Sequence, residues 1–529
     1  MAEKKINIPK EKFAFVNEGE RLSDKKFADK PVGYFRDAWI RFRKSKASVV
    51  AAIIILSIML YSFVMPLVVT SHDSTFMCST YAKKPGRITW LRELGIADGG
   101  VNRTMDEATY IKFLALAVGA EGADGSVIPL SDATDSDYRV ILKQDPSFLQ
   151  DMPNGKQANF YPVRLDTYLE VGFMYDDVEQ DEYKKIVEWQ EKTGIQVLYP
   201  LIDTQSGYCF DETDANYWYK TKLRGTGKGM PVSVNENGKA TVMEYSSDMV
   251  LEDNYLRDGE GNLVYYKYTG GGDIDTAQFK IRVLYYNYYQ YLYGSAPNYL
   301  FGTDSEGYDL ALRIADGIQL SLLLAISVSV INFIIGAAYG AAEGYYGGTT
   351  DIILCRITDI LAGVPFIIVA TLFQLHWSDA AGPVGCLLFA YVLTGWIGTA
   401  GRVRTQFYRF KNQEYVMAAR TLGARDRRII WKHIFPNTLG TLITSSALVI
   451  PGVILTESML SFLGIIQLGG TEQTSLGTLL SDASNNNWTN YPHLMLYPAL
   501  VISLLMVCFN LFGNGLRDAF NPALRGVED

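Results

Sequence analysis

Glu457 stands alone in an apolar stretch just beyond Pro451-Gly452, where an ionised group is costly and a carboxylate is a functional candidate by default. Together with Pro451 it is a candidate for a transport path or gate. The competing reading is a hydrogen-bonded group that ties helices together. Arg356 and Asp359, at i and i+3 in another apolar stretch, share a helix face and can form a structural ion pair. Carboxylates are otherwise abundant, with 34 acidic and 22 basic residues in 72–300. Pairs at hydrolase spacing therefore arise by chance and single out no catalytic site. Segments 258–262 and 270–275 look superficially like calcium loops but lack the full twelve-residue ligand pattern, and read as turns. His72, His376, His433 and His493 are too dispersed for a metal set, and no CxxC occurs. No GxxxxGK[ST] or GxSxG is present, so neither a phosphate-cradling loop nor a nucleophile elbow is expected. Of five cysteines, Cys355, Cys386 and Cys508 fall in apolar blocks. Cys78 and Cys209 do not, and either a disulfide between them or two free thiols is open.

One polar stretch differs in kind. Residues 414–436, EYVMAARTLGARDRRIIWKHIFP, are basic and lie between two apolar blocks. Glu414, Met417, Ala418, Ala419 and Arg420 fall in a helix former whose paired alanines leave room for another backbone. Gly423 permits a turn, a basic helix resumes, and Pro436 can open the next apolar helix. Such a segment is either gripped by a partner or lies on anionic lipid.

The elements that position these residues are membrane spans. Six blocks, 47–70, 317–342, 352–376, 384–402, 439–463 and 494–512, approach the length of about 20 residues that a bilayer requires. Forty-six residues precede the first, which is therefore a retained helix rather than a signal peptide. Basic residues at 36–46 and 402–432 place both regions in the cytoplasm, with both termini inside. The expected organisation is a cytoplasmic tail and interfacial helix (1–46), helix 1 (47–70), an extracytoplasmic domain (71–300) and a helical core (301–525) containing segment 411–436. Periodicity predicts helices over 104–120 and 181–194 and strand–turn–strand units over 232–245 and 255–268, hence an α+β external domain. Its 23 tyrosines are densest in 284–299, where rings at the membrane interface or in a local core are favoured over a docking surface.

The order of Ala418, Ala419, Gly423 and Pro436 resembles the cytoplasmic signature of ABC importer permeases, with Met417 where that family has glutamate. Phe301-Gly302-Thr303-Asp304, Gly307, Asp309, Arg313, Gly317, Ser321, Tyr346-Gly347-Gly348, Arg356 with Asp359, Pro365, Ser461-Phe462-Leu463-Gly464 and Gly515-Leu516-Arg517-Asp518 are similar to landmarks of the C-type subunits of dipeptide and oligopeptide importers, in the same order. The resemblance covers about 34–70 and 296–525 and leaves the external domain unexplained. It implies an all-α type I permease fold of six transmembrane helices with an α+β domain inserted after the first, in a bacterial cytoplasmic membrane. It further implies a B-type permease partner, two cytoplasmic ATPase subunits carrying ATP and Mg, an external solute-binding protein and a peptide substrate. No chemical step falls to this chain, no cofactor is bound directly, and nothing points to nucleic acid. Another solute such as a nickel complex, a membrane-anchored receptor or hydrolase, and an ion channel are the rival readings.

Overall fold

The computed structural model describes residues 34–520, apart from 96, 123–127, 153–154, 156, 210, 270–277, 467, 469–473 and 487. The expected tail over 1–29 and the loop 270–275 lie outside the described residues.

Helix α1 (Tyr34–Lys44) carries the arginine-rich stretch and leads directly into α2 (Lys46–Val68), which is uniformly apolar. An α/β region follows. It contains β1 (Gly100–Asp106), α3 (Glu107–Glu121), β2 (Ile141–Gln144), β3 (Phe148–Asp151), β4 (Gln157–Asp166), β5 (Phe173–Glu179), α4 (Gln180–Thr193), β6 (Leu198–Tyr199), β7 (Val232–Val234), β8 (Ala240–Val242), β9 (Tyr266–Thr269), β10 (Gln278–Leu284) and α5 (Tyr285–Tyr293). The strands form one sheet in the order β1-β4-β2 with β3 on β4, a second in the order β5-β10-β6 with β9 on β10, and a β7–β8 hairpin. Helix α3, buried along most of its length, is the centre of one apolar core, and α5 and α4 flank another.

Several local expectations shift here. The stretch expected to be helical from 104 begins as β1, because Asp106 caps α3 by accepting from the Thr109 N–H at 3.1 Å. The unit expected over 255–268 reduces to a single bridge between Arg257 and Leu263, while Tyr266–Thr269 pairs with β10 instead. The tyrosine-rich segment forms α5, whose Tyr285, Tyr288 and Tyr289 pack with Tyr81 and Tyr299 inside the α/β region. Those rings fill a core. The Cys78–Cys209 bond is not formed. Cys78 is buried with its sulfur 3.1 Å from the Tyr285 hydroxyl, whereas Cys209 packs against the other core with its sulfur 3.3 Å from the Asp211 carbonyl.

The helical part comprises α6 (Leu310–Tyr346), α7 (Gly348–Ala362), α8 (Phe366–Thr394), α9 (Ile397–Phe410), α10 (Glu414–Thr421), α11 (Asp426–Arg428), α12 (Phe435–Ala447), α13 (Val449–Phe462), α14 (Leu476–Asn485) and α15 (Pro492–Phe520). Five runs among the described residues are long and apolar enough to cross a membrane: Lys46–Val68, Leu310–Tyr346, Phe366–Phe410, Asp426–Phe462 and Pro492–Phe520. Their outward faces carry large apolar side chains such as Leu56, Leu323, Ile334 and Leu375, as a lipid-facing helix requires.

The boundaries expected for the third, fourth and fifth blocks are revised. Pro365 opens α8, so the block expected over 352–376 is split between α7 and α8. Inside α8, Gly382 has φ +69° and ψ 163°, and Pro383 follows. Phe373 and Phe389 lie on either side of that break with ring centroids 6.4 Å apart. In a continuous helix their 16-residue separation would span about 24 Å. The chain therefore folds back on itself at Gly382. The block expected over 439–463 divides at Leu448 into α12 and α13. Pro451 sits in the first turn of α13, where its missing N–H would otherwise have continued the helix to Ala447.

Candidate functional site

The segment at 414–436 is built by local rules. Gln413 holds the N-cap position of α10 without a side-chain cap bond, and Glu414 sits in the first turn. The helix ends at Gly423, which adopts φ +81°. There the Gly423 N–H donates to the Arg420 carbonyl at 3.0 Å and the Ala424 N–H to the Ala419 carbonyl at 3.1 Å. These are the paired bonds of a Schellman end, and the left-handed residue they need is glycine for want of a Cβ. The chain then runs through α11 and a wider π-helical stretch, Ile429–Ile434, into α12, with Pro436 in its first turn. A π segment inserts extra backbone into a helix and recurs at functional sites.

The segment is anchored from beneath. Val416, Ile429, Ile430 and Ile434 are buried against Ala337, Ala341, Tyr345, Val403 and Phe407 of α6 and α9. The Tyr345 hydroxyl donates to Asp426 at 2.6 Å, and the Arg420 guanidinium lies over the same ring at 5.8 Å. The other face is open. Tyr415, Met417 and Leu422 are 40%, 50% and 88% exposed, with Glu414, Ala418 and Arg420 also exposed. Leucine at that exposure, beside an exposed methionine, is an apolar surface suited to a partner.

Two features under the segment were not found from sequence. Gly336, Gly340 and Gly344 recur every four residues on α6 and face α9. A Cβ at Gly340 would stand 2.2 Å from the Ala400 carbonyl oxygen, so the two backbones touch. Asp351 of α7 accepts both arms of Arg404 of α9 at 2.6 and 2.7 Å, and the Tyr408 hydroxyl at 2.8 Å. The planar guanidinium meets both carboxylate oxygens at once, the strongest kind of charge-assisted hydrogen bonding. The signal for the first is the fourfold spacing of small residues along the apolar run of α6. The Asp351–Arg404 clamp has no such signal, because sequence offers many acids and bases and no rule for which meet. The expected Arg356–Asp359 pair does form, at 3.3 Å, but its side chains are 77% and 64% exposed. Both partners lie on α7, so the pair joins that helix to no other. The clamp, not that pair, fixes α7 to α9.

At the opposite end of the helical part, Glu457 is fully buried on α13. Its carboxylate accepts from Ser321 of α6 at 3.1 Å, Ser461 at 3.1 Å and Ser458 at 3.3 Å. Ser475, which caps α14, lies beside it. No basic side chain pairs with it among the described residues. The geometry is that of a group binding α6, α13 and α14 together. Glu457→Gln is expected to keep stability and transport, because an amide can still accept and donate here. Glu457→Leu should cost about 1–3 kcal/mol by stranding buried hydroxyls. Thermal unfolding and uptake measured on both variants decide it; a stable Gln variant without uptake would restore a gate role for the charge.

The landmark stretch before α6 has its own physical reasons. Asp304 accepts three backbone N–H groups, from Glu306, Gly307 and Tyr308, at 3.0, 2.9 and 2.9 Å. Asp309 caps α6 by accepting from Ala311 N–H at 2.8 Å, and His72 reaches its other oxygen at 3.1 Å. Gly302 and Gly307 have φ +87° and +101°, and a Cβ on either would strike the carbonyl of Lys84 or Cys78. The segment thus runs antiparallel to the chain leaving α2, through bridges Met77–Tyr308 and Arg87–Tyr299.

Residues 334–526 match the family described as binding-protein-dependent transport system inner membrane component, and residues 33–83 match the N-terminal TM domain of oligopeptide transport permease C. The dipeptide transport system permease protein DppC of Bacillus subtilis is 39% identical over 231 residues, covering 44% of this chain and 70% of that protein. The chain belongs to this permease family. The oligopeptide permease OppC of Haemophilus influenzae is 41% identical over 230 residues, covering 42% of this chain and 70% of its own length. Among solved structures, the inward-facing MetNI methionine ABC transporter aligns with 40% of this chain and 96% of that one, at 15% identity and a TM-score of 0.33. As a permease, the chain is an integral membrane protein of the bacterial inner membrane.

Proposed function

We propose that this chain is one transmembrane half of an ATP-binding cassette importer that moves short peptides inward by alternating access. The observation that carries the reading is its similarity to dipeptide and oligopeptide permeases, together with the family match over 334–526, which includes the open surface at 414–423. In this reading that surface docks a cytoplasmic ATPase, and Met417 and Leu422 make docking a matter of shape and apolar contact. ATP, with Mg, is bound and hydrolysed on two partner ATPase subunits. ATP can drive the transition only through its differential affinity for their two arrangements. A B-type permease completes the membrane path, and a solute-binding protein delivers peptide to the external face.

The helical part crosses six times: α2, α6, α7 with the first half of α8, the second half of α8 with α9, α12 with α13, and α15. The fold-back at Gly382 supports this count. Both termini are then cytoplasmic, and the α/β region between α2 and α6 is external, a cap that receives the binding protein. Residues 71–300 form that cap, and 301–525 form the transport core with its coupling segment at 411–436.

Reconstitution tests the reading. Vesicles containing this chain, a B-type permease and both ATPases, supplied with binding protein and ATP, are expected to accumulate a labelled tripeptide, and vesicles lacking this chain are not. Ion conductance without ATPases, or peptide hydrolysis by the α/β region, would replace it with one of the rival readings.

A further inference from the structure

A cleft of about 660 Å³ lies where the α/β region meets the loop leading into α15. Lys83, Lys84 and Pro85 line one side, Asn102, Arg103 and Thr167 another, and Asn490, Tyr491 and Pro492 the third. Its volume falls in the range of small-ligand sites, roughly 300–1,000 Å³. Its charge is unbalanced. Lys84 and Arg103 share a single carboxylate, Glu170, with the Lys84 contact at a loose 3.9 Å. Lys83 has no acidic partner among the described residues; its ammonium stands 5.7 Å from the Tyr491 ring centroid. Three basic residues thus line the cleft and no acidic one does; Glu170, with Asp166 farther off, offsets Lys84 and Arg103 from outside the lining. Burial already holds the Lys84 ammonium below its ordinary range, a cost that an anion in the cleft would relieve.

The backbone adds a second, independent sign. Lys83 has φ +60°, a conformation that costs a residue with a Cβ on the order of 1–2 kcal/mol. Its N–H is held by the Asp304 carbonyl at 2.8 Å, so the neck between α2 and α6 imposes that conformation and aims the lysine. Strain maintained by surrounding structure is a recurring mark of ligand sites. The side-chain amides of Asn102 and Asn490 suit a peptide backbone, and Pro85, Tyr491 and Pro492 offer apolar walls.

We propose that this cleft binds the C-terminal carboxylate of a short peptide, through Lys83 and Lys84, at the seam between the α/β region and the membrane core. The proposal rests on the peptide-transport reading, and it places a substrate-holding step on the permease itself. Lys83→Gly removes the ammonium while relaxing the backbone, so the variant folds; Lys83→Arg keeps the charge. The full-length chain in nanodiscs of zwitterionic lipid is titrated with trialanine, with trialanine amide and with phosphatidylglycerol. Trialanine is expected to bind the native chain and the Arg variant, and at least tenfold more weakly to Lys83→Gly, and the amide is expected to bind weakly to all three. Equal binding of acid and amide, no loss in the Gly variant, no binding of trialanine at all, or a Lys83-dependent response to phosphatidylglycerol alone would each overturn the proposal. Peptide uptake by the reconstituted native transporter is measured in parallel. Uptake with a failed titration removes only the cleft, whereas absent uptake removes the transport reading.

Discussion

Leucine in place of Gly340 is expected to force α6 away from α9 and to lower the unfolding temperature of the purified permease by about 5 °C or more. The reason is geometric. The first side-chain carbon would lie 2.2 Å from the Ala400 carbonyl oxygen and 2.9 Å from the Ala400 Cα, and those are backbone atoms that cannot rotate aside. Relief requires the helices to part along the whole stripe, since Gly336 and Gly344 meet α9 at similarly short range. Over-packing of this kind costs about 1–3 kcal/mol in favourable cases and more where backbone blocks relaxation. Alanine should give an intermediate loss, because the Cβ alone already clashes. The effect should extend to the surface at 414–423, whose underside is built from Val403, Phe407 and Tyr345 on the same two helices. Thermal unfolding followed by tryptophan fluorescence measures the shift. An unchanged transition for Gly340→Leu would mean that α6 and α9 do not touch as described.

The second large effect is expected at Gly423, and its signature is the opposite one. A Cβ there meets nothing within 4 Å, so a substitution causes no clash. Its only cost is the left-handed backbone, on the order of 1–2 kcal/mol, and larger for a β-branched residue. Gly423→Val should therefore leave the global unfolding temperature nearly unchanged while releasing the Schellman end of α10 and displacing Leu422 and Met417. Peptide uptake is expected to fall at least tenfold, with ATP hydrolysis by the partner subunits continuing. Gly423→Asn should retain most uptake, since asparagine adopts this conformation more readily. The decisive quantity is peptide transported per ATP hydrolysed in vesicles, and a native ratio in the Val variant would rule out docking at this surface.

The two glycines were not equally legible. Gly423 announced itself through neighbours along the chain: a helix former before it, a basic helix after it, and Pro436 in the first turn of the next helix. Local rules of capping and turns are written in consecutive residues, and that part of the site matched expectation. Gly340 has its meaning in Ala400, sixty positions away. The same holds for Asp351 with Arg404 and for Glu457 with Ser321. Those pairs depend on which helix faces which, a fact that periodicity does not carry. Span boundaries failed for a related reason. Composition detects apolar length, but Pro365, Gly382 and Pro451 redistribute that length among α7, α8, α12 and α13. For the tyrosines of α5 the local-core part of the expectation holds, because tertiary packing draws Tyr285, Tyr288 and Tyr289 into the core of the α/β region.

The pairing of residues 77–87 with 299–308 brings the two chain connections of the α/β region side by side. Met77 bridges Tyr308, and Arg87 bridges Tyr299, so the chain that leaves the helical core returns to it within one strand spacing, about 5 Å. From below, everything between Arg87 and Tyr299 is equivalent to the tip of a hairpin. A fold attached in this way imposes little closure cost on its host, whatever its length. It can also be acquired, exchanged or lost as a cassette without moving a membrane helix. The ladder itself is the part that cannot be spared, because Gly302, Gly307 and Asp304 set the start of α6 by lying against the backbone of the outgoing strand.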